Sequence, residues 1–149
     1  MSQIFYPLPI AYKDIDFSWL VGRVVGEVSF HKPTLWVFGF GPKTGINVEC
    51  LWRIIEHEHI ILTSEDNGHQ FGLPAPVDAR AKCAELFSRQ PITAVQLKEA
   101  TSDLLINFGP DLRLEIIANS SGYECWQLSD PSGTSFVAQG GGTICKWRP

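Results

Sequence analysis

The chain has no cluster of basic residues. Its 12 lysines and arginines stand singly (Arg23, Lys32, Lys43, Arg53, Lys98 and Arg113 among them) against 16 acidic residues, for a net charge of −4. A nucleic-acid binder normally concentrates positive charge on one face, so no nucleic-acid partner is expected. Long apolar runs are missing too. The uncharged stretch Pro33–Pro42 is interrupted by Gly39 and Gly41 and reaches about half a membrane span, so no membrane partner is expected. Met1–Ile10 carries no basic lead, and Pro7 and Pro9 break its apolar character, so no secretory leader is expected there.

Familiar catalytic spacings are absent as well. There is no Gly-x-Ser-x-Gly, no Gly-Lys-Ser/Thr and no His-Glu-x-x-His. The four cysteines (Cys50, Cys83, Cys125, Cys145) lack the even, close spacing of a disulfide framework or a zinc site. They fit free buried thiols in a reducing compartment, which predicts a cytoplasmic protein with no cofactor.

What the chain does have is 149 residues, 44% of them hydrophobic, with five tryptophans and nine phenylalanines. That is enough for one domain with an aromatic core and no need of a metal to fold. Short β-branched or aromatic runs alternate with Gly/Pro/Asn turns, the pattern of hairpin-rich β structure. Strands are expected near Val24–Phe30, Thr34–Phe40, Gly45–Arg53, His57–Thr63 and Gln70–Leu73. Asn67-Gly68 should form a type I′ turn. Pro74-Ala75-Pro76 then clears the way for a helix over 78–88, capped by Asp78, with Ala79, Cys83, Leu86 and Phe87 on one stripe. Strands resume near Ile92–Lys98, Asp103–Phe108, Leu112–Ala118, Gly122–Leu128, Ser135–Ala138 and Thr143–Trp147.

The second half repeats the first. Leu20-Val21-Gly22-Arg23 matches Leu86-Phe87-Ser88-Arg89, Phe38-Gly39-Phe40-Gly41-Pro42 matches Ile106-Asn107-Phe108-Gly109-Pro110, and Ile46-Asn47-Val48-Glu49 matches Leu112-Arg113-Leu114-Glu115. Alternation then assigns faces. Trp36, Phe38, Phe40, Ile46, Val48 and Cys50 should point inward with Leu104, Ile106, Phe108, Leu112, Leu114 and Ile116, leaving Asn47, Glu49, Arg113 and Glu115 outside. The expected fold is mainly β (α+β). A lead-in (1–19) precedes two related antiparallel meander halves (20–73 and 91–149), forming a curved sheet, a sandwich or a partly open barrel. The linker and helix (74–90) lie between them.

The segment Ser121-Gly122-Tyr123-Glu124-Cys125-Trp126-Gln127-Leu128, followed by Gly140-Gly141-Gly142 and Trp147, resembles the C-terminal signature of an uncharacterised family of small bacterial β-rich proteins. That signature reads Tyr-Glu-x-Trp-x-Leu, then Gly-Gly-Gly, then Trp. The resemblance implies no catalytic residues. It singles out Tyr123, Glu124, Trp126 and Trp147 and implies an accessory or immunity-type role.

Several groupings invite chemistry. In Glu56-His57-Glu58-His59 a strand would place His57 and His59 on one face, two metal ligands in want of a third from His31 or His69; a solvated strand start is the simpler reading, and no metal is expected. Glu49, Glu115 and Glu124 form an acid pair only if the strands align them, and ion pairs to Arg53 or Arg113 are the simpler outcome. Gly140–Thr143 precedes a strand rather than a helix, so it reads as a turn and not a phosphate loop. Trp19, Trp52 or Trp147 beside Tyr123 would make an aromatic interface. By elimination the leading expectation is a non-enzymatic protein–protein binding module with candidate residues Tyr123, Glu124, Trp126, Trp147, Glu49 and Arg53. Open sheet edges add the expectation of a homodimer. The alternatives are a small-ligand binder with an apolar pocket between the halves, and a small enzyme using Glu and His.

Overall fold

A computed structural model describes residues 8–148. The first seven residues of the lead-in, with most of the expected leaderless N-terminus, lie outside that range. Twelve strands form two antiparallel sheets, with one α-helix among the described residues. In chain order the strands are β1 (Leu8–Pro9), β2 (Glu27–His31), β3 (Leu35–Gly39), β4 (Gly45–Val48), β5 (Leu51–Glu56) and β6 (His59–Thr63). After the helix α1 (Ala79–Phe87) come β7 (Ile92–Leu97), β8 (Leu104–Phe108), β9 (Leu112–Ile117), β10 (Trp126–Ser129), β11 (Ser135–Ala138) and β12 (Ile144–Trp147). No helix among the described residues is long and apolar enough to cross a membrane.

The mainly β reading holds, as a two-sheet sandwich with no closed barrel. The seven-stranded sheet runs β1-β12-β11-β10-β4-β3-β2 and the five-stranded sheet β6-β5-β9-β8-β7. The two halves interlock: each starts with a three-strand meander in one sheet (β2-β3-β4; β7-β8-β9) and continues with a hairpin in the other (β5-β6; β10-β11), to which the second half adds β12. β4 pairs with β10, and β5 with β9, so the two joints are equivalent under a two-fold exchange of the halves. Leading segments are exchanged too. The 3-10 turn Ser18–Leu20, just before β2, packs against β7, while α1, just before β7, packs against β2. A single bridge, Val24 with Pro91, ties the two leads together.

The repeat assigned the faces correctly for the core. Trp36, Phe38, Phe40, Ile46, Val48 and Cys50 are buried, and so are Leu104, Ile106, Phe108, Leu112, Leu114 and Ile116. Aromatic edges lock the sheets together, with Trp52 of β5 meeting Trp36 and Phe38 of β3 in edge-to-face contacts. Phe87 of α1 bridges Phe38 and Phe108. Asp78 caps α1 by accepting from the Ala81 N–H at 3.1 Å, and Ala79, Cys83 and Phe87 form the buried stripe, with Leu86, expected on it too, half-buried at its margin.

Several expected strands need correction. The run Gly45–Arg53 is two strands in different sheets, because the chain crosses over at Glu49-Cys50, where neither Gly nor Pro marks the break. His57–Thr63 begins with a two-residue turn: His57 and Glu58 both have positive φ (47° and 69°), the geometry that suits hairpin twist. Val24–Phe30 shortens and shifts to Glu27–His31, and Gly122–Leu128 becomes strand only from Trp126. Gln70–Leu73 is a turn closed by the Leu73 N–H on the Gln70 carbonyl at 2.8 Å, with Phe71 and Gly72 at positive φ. Asn67-Gly68 follows a 3-10 turn rather than joining strands. With Asn67 at φ −59°, ψ 126° and Gly68 at φ 82°, it is type II, not I′.

Candidate functional site

The sequence-predicted residues do not converge on one place. Glu49, Glu124 and Trp126 come together around a shallow depression of about 80 Å³, also lined by Asn47 and Gln127. The register explains this, since β4 and β10 are neighbours and the Glu49 N–H donates to the Cys125 carbonyl at 2.9 Å. Both glutamates are exposed, whereas Trp126 is buried with its Nε1 donating to the Ser102 carbonyl at 2.9 Å. Trp126 is therefore a core anchor.

Arg53 lies elsewhere, on the outer face of the five-stranded sheet. It faces Glu115 across the β5–β9 ladder and donates to it at 2.5 Å, while Arg113 donates to the other carboxylate oxygen at 2.7 Å. Glu115 was expected to face outward, and it does, but the two guanidiniums bury it. Burial pushes its carboxyl up, and the two arginine hydrogen bonds and charges outweigh that, holding it below the usual glutamate range. The salt-bridge alternative to an acid pair is what forms.

The aromatic patch does not assemble. Trp52 is fully buried, Trp19 is half-buried with the Arg23 guanidinium over its ring, and Tyr123 is 83% exposed. Trp147, 41% exposed, pairs with Ser135 at the end of the β10–β12 layer opposite to Tyr123. His57 and His59 do not share a strand face either, because His57 sits in the turn, its Nδ1 3.6 Å from an Asp111 carboxylate oxygen. No group of three His, Cys, Asp or Glu side chains is placed to hold a metal ion among the described residues. All four cysteines are buried, and burial pushes the Cys83 thiol up to about 12 and raises Cys50 and Cys145, away from the thiolate a nucleophile needs.

The glycines of the C-terminal signature have a packing role. A Cβ on Gly140 would lie 2.3 Å from the Gly122 backbone, and one on Gly142 would lie 1.8 Å from the Ala100 carbonyl oxygen. Tyr12 donates its hydroxyl to the Gly142 carbonyl at 2.5 Å. This turn wedges between two loops and delivers β12 onto β11.

Two hollows have ligand-sized volumes. One, of about 760 Å³, runs between the lead-in (Tyr12, Ile15, Phe17), Val21 and β7 (Val95, Leu97), with Lys13, Asp16 and Glu99 also on its walls, so it borders the second half rather than lying between the two. The other, of about 510 Å³, opens at one end of the sandwich over the stacked rings of Phe30 and Trp36, with Glu49, Glu65, His69 and Asn119 on its walls.

Open edges were expected from the sequence, but not which strand would supply one. A sheet edge exposes unpaired N–H and C=O groups and is normally covered or blunted. Of the four edges here, β1 is two residues long and contains Pro9, and α1 packs against β2. β7 is met by the chain before β2 at its first residue alone, where the Gly22 N–H donates to the Ile92 carbonyl and the Ile92 N–H to the Arg23 carbonyl, both at 2.8 Å. The fourth edge, β6, pairs with β5 on one side, and no strand covers its other side among the described residues. It displays Ile60 (57% exposed) and Ile61 (37%). Across the tight turn His59 pairs with Glu56, so the next residue, Ile60, turns its N–H and C=O outward. A bulge at Ile61 twists the strand without covering it. The readable signal was the absence of any charge from His59 to Thr63, the charge that usually guards an edge. No family model, no curated protein and no solved structure matches the chain.

Proposed function

We propose that the chain is a cytoplasmic, non-enzymatic binding module of accessory or immunity type, which engages a partner protein through the bare edge β6. The observation that carries this reading is β6 itself: an edge strand with no neighbour on its outer side among the described residues, no charged side chain, and two exposed isoleucines. Main-chain pairing along such an edge supplies affinity, and the side chains of the added strand supply specificity. A second copy could also donate the strand, which keeps homodimerisation among the candidates. The buried thiols favour a reducing compartment.

The test is capture from native host lysate with tagged wild type and with Ile60→Pro, in which proline removes the outward N–H while the bonds to β5 remain. The expected result is one stoichiometric partner held by the wild type and lost by the folded variant. Equal retention by both, or none by either, sinks the reading.

One observation favours a second reading, a small-ligand binder. The end cleft of about 510 Å³ joins an aromatic floor to several polar groups, within the size range of ligand sites. It is more polar than the apolar pocket expected from the sequence. Mass spectrometry of material released by denaturing the natively purified protein would identify such a ligand.

A further inference from the structure

We infer that the strand accepted by β6 is an antiparallel, apolar segment carrying basic residues, of the kind the fold already supplies to itself as β12. The inference rests on the strand-acceptor reading and names the chemistry of the partner.

Three observations carry it. First, β6 and β11 are equivalent strands of the two halves: β6 follows β5 beside β9, and β11 follows β10 beside β4. On β11 the outer edge is occupied by β12, antiparallel, with Phe136 opposite Lys146 and Val137 opposite Cys145. The matching position beside β6 is open. A fold whose two halves share one plan has therefore built an acceptor edge twice and filled it once.

Second, the strand that fills the occupied edge reads Ile144-Cys145-Lys146-Trp147, followed by Arg148. It is apolar and basic, with no acidic residue. Lys146 lies over the Phe136 ring at 5.8 Å, so one cation is used on the covered strand itself.

Third, the open edge is framed by acid. From Ile54 to Ala79 the sequence contains no lysine or arginine. Glu58 is exposed at the turn end of β6 and Glu65 at the other end, with Asp111 beside His57. The two arginines of the neighbouring strands, Arg53 and Arg113, are committed to Glu115. An incoming strand thus meets an apolar centre at Ile60 and Ile61 between negative ends. Antiparallel pairing of two copies of β6 would instead bring Glu58 of one towards Glu65 of the other, which like charges oppose. Charge complementarity selects a basic-flanked strand.

The probe is a labelled peptide copying residues 142–148 with Cys145→Ser, and a counterpart that adds Lys146→Glu and Arg148→Glu. Binding to the full chain is read by fluorescence anisotropy at low and high salt. The basic peptide should bind about tenfold more tightly than the acidic one at low salt, as two rim charges allow, and the gap should shrink as salt screens them. Binding should be lost in Ile60→Pro and, should that variant fail to fold, in Ile60→Asp. Equal affinity of the two peptides, abolished by either Ile60 variant, would overturn the basic chemistry and leave the strand-acceptor reading standing. Self-association of the wild type in light scattering, abolished by the same variants, would make a second copy the occupant and overturn the inference. Peptide binding undiminished by both variants, or no binding and no self-association, would overturn inference and reading together.

Discussion

β6 and β11 hold the same place in two related halves, yet one is an open edge and the other is an interior strand. The difference arises in the turn at the end of each strand. After β11, residues 139–143 turn back through Gly140-Gly141-Gly142 and lay β12 alongside. After β6, a capped 3-10 turn (Thr63 accepting from Glu65, Asp66 from the Thr63 N–H) sends the chain away towards α1. Both halves thus share the strand plan but not its ending. Related strands can be left to different uses by the turns that end them.

The largest expected effect tests the turn that closes the second half. Gly142 has φ 88°, and a Cβ there would lie 1.8 Å from the Ala100 carbonyl. Gly142→Ala should destabilise by about 3 kcal/mol or more, combining left-handed strain with a backbone collision. Gly68 in the first half has a similar φ, 82°, but open space around it. Gly68→Ala should cost only about 1 kcal/mol, the strain alone. Urea denaturation of both variants measures the gap; equal losses would mean that the Gly-rich turn is not wedged as described.

A second contrast lies at the two sheet-crossing joints, each of which ends in a buried tryptophan. Trp126 Nε1 bonds the Ser102 carbonyl, while Trp52 Nε1 is buried without a partner among the described residues. Trp126→Phe strands a buried acceptor. Trp52→Phe removes an unsatisfied donor, which offsets part of its lost packing. Trp126→Phe should therefore cost about 1–2 kcal/mol more than Trp52→Phe. Similar losses from the two substitutions would remove the distinction.

The third contrast is between Glu115 and its repeat partner Glu49. Clamped between two arginines, Glu115 has a depressed pKa, so it binds its proton less readily folded than unfolded. Its contribution is complete above the unfolded value of about 4.3 and falls away as pH drops through the lower folded value. Glu115→Gln should cost about 1 kcal/mol at neutral pH and flatten the stability profile below pH 4.3 or so. Glu49 is exposed, and Glu49→Gln should change stability by less than about 0.5 kcal/mol at neutral pH. An unchanged acid limb in Glu115→Gln would show that the clamp contributes nothing.

Much of this was legible where local pattern and burial agree. The strand alternation of Trp36-Val37-Phe38 and Leu112-Arg113-Leu114, the Asp78 cap and the repeat all carry their signal in neighbouring residues. The crossover at Glu49-Cys50 was not legible, because a strand that changes sheets keeps its alternation and needs no Gly or Pro. A hint existed in comparing Glu49-Cys50-Leu51-Trp52 with Glu124-Cys125-Trp126, since both segments mark a joint between sheets. His57-Glu58 hid its turn in the same way, lacking the Asn-Gly usual at positive φ. The interlocking of the halves is a long-range property that no local window contains. The family-like C-terminal residues proved to be spread over a buried anchor, a packing turn and two distant exposed rings.

The smallest expected effect is the one that isolates the open edge. Ile60 is more than half exposed, so replacing it removes little buried surface, and a lysine there can extend into solvent. Ile60→Lys should shift the stability of the isolated chain by no more than about 0.5 kcal/mol. Its counterpart in the closed half is Val137 of β11, which is buried and flanked by β10 and β12. Val137→Lys must bury or expel a charge there, at a cost of about 3 kcal/mol or more. Measured by thermal unfolding, a near-zero loss at Ile60 beside a large one at Val137 is what an edge retained for something outside the chain predicts. A large loss at Ile60 would mean that β6 is already covered, and the two halves would then differ in sequence but not in exposure.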